Sequence, residues 1–466
     1  MAPAPNAGIR VACAIGLLAA LHGCADRGGA RPSFLVVLSD DQRFDALGVV
    51  QREQGERARF PWLATPSLDR LAAEGVRFRN AFVVSSLCSP SRASFLTGLY
   101  GHANGVVDNA TPLGAATATI ATRLRAAGYR TGYVGKWHMG EEVERPGFDW
   151  SASYVGQGSY FDATFLVDGA PRPSRGWVDD VATDHAIDFL RRQRSGPFLL
   201  VVGYKAPHGP HRPESVPERA RGRHRDARLE PPPSAAALPP WLEPQARRHG
   251  AASDDGVRSY LDLVSALDDA LGRLLAALDA QGLAEQTVVV FAGDNGYLLG
   301  EHGLRTKRAA YECSIRIPLL VRWPAAGPAA RGVTVDAPVR NVDLAPTLLE
   351  LAGVAAPEPL HGRSLGALLE SRGGPWPDAF LYEFFEEPSY PMPTQLALRA
   401  PAAKLVVYPG RPEWTQLFDL GSDPDEIRNL ARDPARAAQL EELRALLLRE
   451  ARALGLDPGL TDSSGP

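Results

Sequence analysis

The chain is 466 residues long, 45% hydrophobic and 22% charged, with a formal net charge of −4. That balance excludes a disordered chain and gives no electrostatic case for nucleic acid, so an anionic ligand would have to be held by local groups. The length exceeds one ordinary domain and suits an α/β core with a smaller appendage.

The opening residues, MAPAPNAGIRVACAIGLLAALHGC, place Arg10 before an apolar run from Val11 to Leu21. The run is too short to span a membrane, and residues 1–24 read as a secretory signal. Leu21-His22-Gly23-Cys24 resembles the lipobox of bacterial lipoprotein signals, with His22 in place of the usual small residue. Cys24 is therefore a candidate lipid anchor, and the protein is expected to be exported to the periplasm or cell surface. Cys13 belongs to the leader, which leaves Cys88 and Cys313 in the mature body. A protein of this size folds without a disulfide, and a free cysteine is most often a buried small hydrophobe.

Phe34–Leu38 is a near-continuous apolar run, as a strand buried on both faces requires. Thr65 and Pro66 form an N-cap and N1 pair, and Gly75 supplies the stop of the helix they begin. Ser89 and Pro90 repeat that pair, so a second helix should start immediately after Cys88. Helical patterns recur at 116–127, 178–193, 257–282 and 342–352, and strands are predicted at 130–135, 198–203, 287–292 and 318–322. Residues 213–250, rich in Pro and Arg, read as an extended surface loop. From residue 371 the pattern changes to short strands at 394–398, 404–408 and 416–420 and a charged helix at 435–453. The alternation predicts a doubly wound α/β domain over 32–370 and a smaller α+β domain over 371–466.

The polar groups of interest follow strands. Asp40 and Asp41 come after the first, Lys136-Trp137-His138 after 130–135, His208 after 198–203, and Asp294-Asn295 after 287–292. Ligands in open α/β sheets bind off the carboxyl ends of strands, so these clusters should converge on one edge. Singly, each is an ordinary turn or cap. Cys88 adds a reactive group at the positive end of a helix, with Arg92 in its first turn, a place suited to an anion.

Cys88-Ser-Pro-Ser-Arg92, followed by Leu96-Thr97-Gly98, resembles the signature of the sulfatases of the alkaline phosphatase superfamily. Ser39 to Arg43, Gly135 to His138, Ala206-Pro207-His208, Gly293 to Gly296, Thr306-Lys307-Arg308 with Tyr311-Glu312, and Leu417 to Leu420 with Asp423-Pro424 are similar to further family segments. Cys313 is a departure, and it is expected to be buried and inert. The resemblance implies an alkaline phosphatase-like, large, mixed but mostly parallel sheet flanked by helices. It also implies that Cys88 is converted to Cα-formylglycine by a formylglycine-generating enzyme. Asp40, Asp41, Asp294, Asn295 and residue 88 would hold a metal. Their hard oxygen donors select Ca²⁺ or Mg²⁺, and the added oxygen from residue 88 fills a site that the larger, more flexibly coordinated Ca²⁺ accepts more readily.

By the same resemblance Arg92, Lys136 and Lys307 would grip the sulfate, and His208 would assist the leaving alcohol. His138 would take the proton when the covalent sulfate hemiacetal collapses. Arg145 to Asp149, Gly156 to Tyr160 and Val167 to Gly169 resemble the glycan-desulfating branch, N-acetylglucosamine-6-sulfatases in particular. Trp137, Tyr160 and Trp414 are candidates to stack on a sugar. Two rival readings are a phosphonate or phosphodiester hydrolase of the same superfamily and an inactive glycan-binding surface protein. His102 and His211 read as ordinary loop histidines.

Overall fold

The computed structural model describes residues 31–457 except 142–144, 194, 243–252, 357–358, 388–389 and 391. The leader, with Cys13 and Cys24, lies outside the described residues. The main sheet has ten strands. Its centre is Ser33–Ser39, flanked in parallel by Thr287–Gly293 on one side and Phe198–Gly203 on the other. Arg130–Lys136 and then Trp150–Tyr154 continue the parallel run. Leu319–Arg322 pairs antiparallel with Thr287–Gly293, and Thr164–Val167 pairs antiparallel with Trp150–Tyr154, which makes the sheet mixed but mostly parallel at its core.

Period-two alternation divides each central strand between two apolar layers. Phe34, Val36 and Leu38 point into one layer with Val288, Val290 and Ala292, where helices Cys88–Thr97, Ile120–Ala126 and Leu344–Leu351 cover them. Leu35 and Val37 point into the other with Val289 and Phe291, under Pro66–Glu74, Val178–Arg191 and Asp254–Ala280. The doubly wound architecture follows.

Two local expectations change. Cys88 is itself the first helical residue, and the extended Leu87 is the N-cap. Ser89 does not cap this helix with its side chain, because its hydroxyl donates to the His138 carbonyl. Gly75 ends its helix with φ −143, an extended conformation any residue adopts. Its glycine is required by space instead, since a Cβ there would lie 2.4 Å from the Val321 carbonyl oxygen.

A four-stranded antiparallel sheet follows, in the order Phe380–Phe384, Gln395–Arg399, Ala403–Val407 and Gln416–Asp419. Leu443, Leu447 and Ala451, spaced by one helical turn on Ala437–Ala453, bury against Leu381, Leu396 and Leu405 of that sheet. Lys404, fully buried, bonds Glu312 at 2.9 Å and Glu426 at 2.7 Å, joining this sheet to the segment that carries Lys307.

His102 is no ordinary loop histidine. Its Nδ1 lies 2.6 Å from Glu383 Oε2 and its Nε2 lies 2.9 Å from the Leu454 carbonyl. Both partners are acceptors, so only the imidazolium satisfies both. Burial lowers its pKa, but the hydrogen bond and charge of Glu383 outweigh that and raise it above 6.5. A raised folded-state pKa gives stability that is fully present below about 6.5 and is lost as pH rises through the folded value. A His102→Gln variant should therefore melt below the parent at pH 6, with the gap narrowing by pH 9. A Tm difference that stays constant over that range would refute the charged contact.

Candidate active site

Four parallel strands deliver their carboxyl ends to one edge, and Cys88 sits among the groups they carry. Its Sγ is 3.4 Å from Asp40 Oδ1, 2.8 Å from Lys307 Nζ and 3.6 Å from Lys136 Nζ. Oxygens of Asp40, Asp41 and Asp294 all lie within 4.8 Å of one another. Each carboxylate has a cationic partner: Lys136 on Asp40, Lys307 on Asp41, and Arg92 Nε on Asp294 at 2.9 Å. His208 Nε2 stands 3.8 Å from Asp41 Oδ2, while its Nδ1 meets the Gly209 carbonyl at 2.8 Å.

Local backbone geometry aims these groups. Asp41 and His138 both adopt left-handed conformations, φ 64 and 59, as strained residues at functional sites often do. The Asp41 amide donates to Asp294 Oδ1 at 3.0 Å, and Asn295 Nδ2 donates to Asp41 Oδ1 at 2.7 Å. The Ser89 amide, otherwise unpaired in the first helical turn, donates to Asn109 Oδ1 at 3.1 Å. Arg92 Nη1 reaches the Lys136 carbonyl at 2.8 Å by passing Gly203, where a Cβ would stand 2.8 Å from that nitrogen.

The electrostatics separate the groups sharply. Burial alone would raise the Asp40 carboxyl, but Lys136, His208, Lys307 and Arg92 together hold it well below the usual range. Burial and then Asp40 push Asp294 up to about 6. Burial, with Asp40 adding to it, pushes the Cys88 thiol up to about 12, so the side chain is a neutral thiol despite two nearby ammonium groups. Reactive cysteines need the thiolate, which this site withholds.

The donor set fits a hard divalent cation. Three carboxylates converge, and Asn295 Oδ1 is buried with no hydrogen-bond partner among the described residues. Arg92 Nη2, also buried and unpartnered, offers a free donor to an anion beside it.

The family model described as Sulfatase matches residues 32–354, and that for the N-sulphoglucosamine sulphohydrolase C-terminal region matches 300–453. The chain belongs to the sulfatase family. An N-acetylglucosamine-6-O-sulfatase of Bacteroides thetaiotaomicron is 32% identical over 90% of this chain and 86% of its own. An ulvan-active sulfatase of Formosa agariphila is 31% identical over 91% and 82%. The solved structure of BT4656 in complex with its substrate D-glucosamine-2-N,6-O-disulfate superposes with TM-score 0.82 at 28% identity, covering 93% of this chain and 100% of its own.

In this sulfatase two sugar-stacking candidates are not at a rim. Trp137 is 1% exposed, with Tyr133 and Phe148 edge-on and the Arg145 guanidinium 5.2 Å from its ring centroid. Tyr160 lies against Trp177 at 6.3 Å and Lys205 at 5.0 Å, and its hydroxyl donates to the His208 carbonyl at 2.5 Å. Trp137 packs the core, and Tyr160 steadies His208. Trp414 packs on Tyr408 and Arg411. His211, also unlike a loop residue, is buried between Tyr260 and Tyr297 and bonds the Pro207 carbonyl at 2.9 Å. Cys313 is half-buried, with Arg43 Nη2 3.5 Å from its sulfur, and burial raises its thiol well above the usual range.

Sequence reasoning assigned no role to Gln157, Lys205 or Asp179. Lys205 is 2% exposed and donates to the Gln157 carbonyl at 2.9 Å. Asp179 accepts the Lys205 and Ala206 amides at 2.8 Å each, bracing the turn that carries His208, and burial pushes it up to about 7. The strand-end rule would have reached Lys205, which follows the strand predicted at 198–203, but not Gln157, because the Trp150–Tyr154 strand before it was not predicted. Asp179 sits in a helix and carried no sequence signal.

Proposed function

We propose that this sulfatase removes an O-sulfate from a glycan sugar such as N-acetylglucosamine 6-sulfate, using Cys88 oxidised to Cα-formylglycine. The observation that carries this reading is Cys88 itself. It stands at the meeting point of three carboxylates and three cations, yet the site keeps its thiol protonated. A thiol nucleophile would call for the opposite environment, whereas an aldehyde hydrate needs cations for the sulfate and carboxylates for its proton.

Asp40, Asp41, Asp294, Asn295 and an oxygen of residue 88 would hold Ca²⁺, which supplies fixed positive charge opposite the sulfate and the attacking oxygen. Lys136, Lys307 and Arg92 bind the sulfate oxygens and balance charge as it develops. Asp294 accepts the proton of the attacking hydroxyl, and the sulfur–oxygen bond to the alcohol breaks as residue 88 becomes sulfated. His208, with Lys307, assists the departing alcohol as it takes up a proton. His138 then takes the proton of the remaining hydroxyl, the aldehyde re-forms, and sulfate leaves. The N-acetylglucosamine-6-O-sulfatase relative and the structure in complex with D-glucosamine-2-N,6-O-disulfate support the sugar assignment. The leader read from the sequence supports export.

The test is the mass of the tryptic peptide Asn80–Arg92 from protein made in its native host, with sulfate release from N-acetylglucosamine 6-sulfate. The expected peptide carries an aldehyde in place of the thiol. An intact thiol throughout, or faster turnover of a phosphodiester with a matched leaving group, would overturn the reading.

A further inference from the structure

Gln157 links two groups that the proposed reaction uses. It follows the Trp150–Tyr154 strand, which pairs in parallel with Arg130–Lys136 and sets Lys136 opposite Tyr154. Two left-handed glycines flank it, Gly156 at φ 61 and Gly158 at φ 62, and Lys205 clamps its backbone carbonyl. Its Oε1 lies 2.6 Å from Lys136 Nζ, and its Nε2 lies 3.1 Å from His138 Nε2.

The hydrogen-bond chemistry admits one arrangement. An ammonium group donates only, so the Gln157 atom facing Lys136 must be the carbonyl oxygen. The other amide atom is then NH₂, a donor, and His138 Nε2 must present its lone pair. A neutral ring with a bare Nε2 carries its proton on Nδ1. That nitrogen faces Ser89 Oγ at 3.4 Å. The Ser89 proton is committed to the His138 carbonyl, so its oxygen is left to accept from Nδ1–H. The partners of the two ring nitrogens therefore agree on one tautomer.

We infer that Gln157 is a positioning residue: it transmits the donor polarity of Lys136 to His138 and fixes that ring in the Nδ1–H tautomer, with Nε2 unprotonated and able to act as the base once the amide N–H gives way. This rests on the base role proposed for His138. It also sets a direction for the proton. Once Nε2 is protonated, an amide N–H and a ring N–H face each other, so the site favours release of the proton to solvent and return of the base. No atom of Gln157 reacts.

Replacing Gln157 by Glu reverses the polarity, because a carboxylate still accepts from Lys136 but also accepts from the ring. Histidine-selective ¹⁵N labelling of the purified full-length protein reports the tautomer without any turnover, with His138→Gln used to assign the resonance. The expected result is Nδ1–H at His138 in the parent and Nε2–H or the doubly protonated ring in Gln157→Glu. In parallel, kcat on a sulfate monoester should fall about tenfold or more in Gln157→Glu with KM within about twofold. An Nε2–H tautomer in the parent, or Nδ1–H retained in Gln157→Glu, would overturn the inference. The expected tautomers in a protein that releases no sulfate would leave it standing and refute the proposed function instead.

Discussion

Replacing Cys88 by Ala is expected to lower sulfate-ester turnover by about 10⁴-fold or more while leaving the fold intact. The side chain is fully buried and small, so its loss removes only the group on Cβ from a site whose carboxylate–cation pairs do not depend on it. A truncation of that size costs about 1 kcal/mol, far less than the loss of a covalent nucleophile costs in catalysis. The measurement is kcat/KM beside thermal unfolding of the same preparation. Turnover comparable to the parent would remove residue 88 from the chemistry.

Replacing Arg92 by Met should act on both stability and activity. Arg92 is 1% exposed, and Met would occupy most of its space without its charge. The change strands the Asp294 carboxylate, which burial and Asp40 already push up, and it frees the Lys136 carbonyl of a donor. Breaking a buried ion pair by deleting one member costs about 3–5 kcal/mol, because the surviving charge stays buried. Arg92→Met with Asp294→Asn, which removes both charges, should recover part of that stability and none of the activity. Urea unfolding of the two single variants and the double variant measures the coupling. A single Arg92→Met variant within about 1 kcal/mol of the parent would show that the pair is not what holds Asp294 in place.

The centre of the main sheet and the candidate site were largely legible in the sequence, and the short strands toward the sheet's edges were not. Phe34 to Leu38 announces a strand buried on both faces, because in a parallel sheet either face of a strand meets helices. The strand-end rule then carried Asp40, Asp41, Lys136, His208 and Asp294 to one edge, where the structure brings them together around Cys88. Helix ends were less legible. The Ser89-Pro90 pair matches a capping pattern, but the Ser89 hydroxyl has a stronger engagement with the His138 carbonyl, contributed by a different strand end.

What the sequence by itself determined was the central strands and the main helices, their order and the chemistry offered at those strand ends, since these follow from apolar periodicity and the topology it dictates. Tertiary structure alone decided what each ring and each proton faces. Trp137 and Tyr160 look like sugar platforms until Arg145 and Lys205 cover them. His102 looks idle until Glu383 and the Leu454 carbonyl, both far along the chain, claim its two nitrogens. Gln157 looks like a turn residue until Lys136 fixes the direction of its amide. Periodicity records which way a side chain leaves its own strand or helix. It carries no record of the donor or acceptor that another strand or helix brings to meet that side chain, and at buried polar groups that partner sets charge and tautomer.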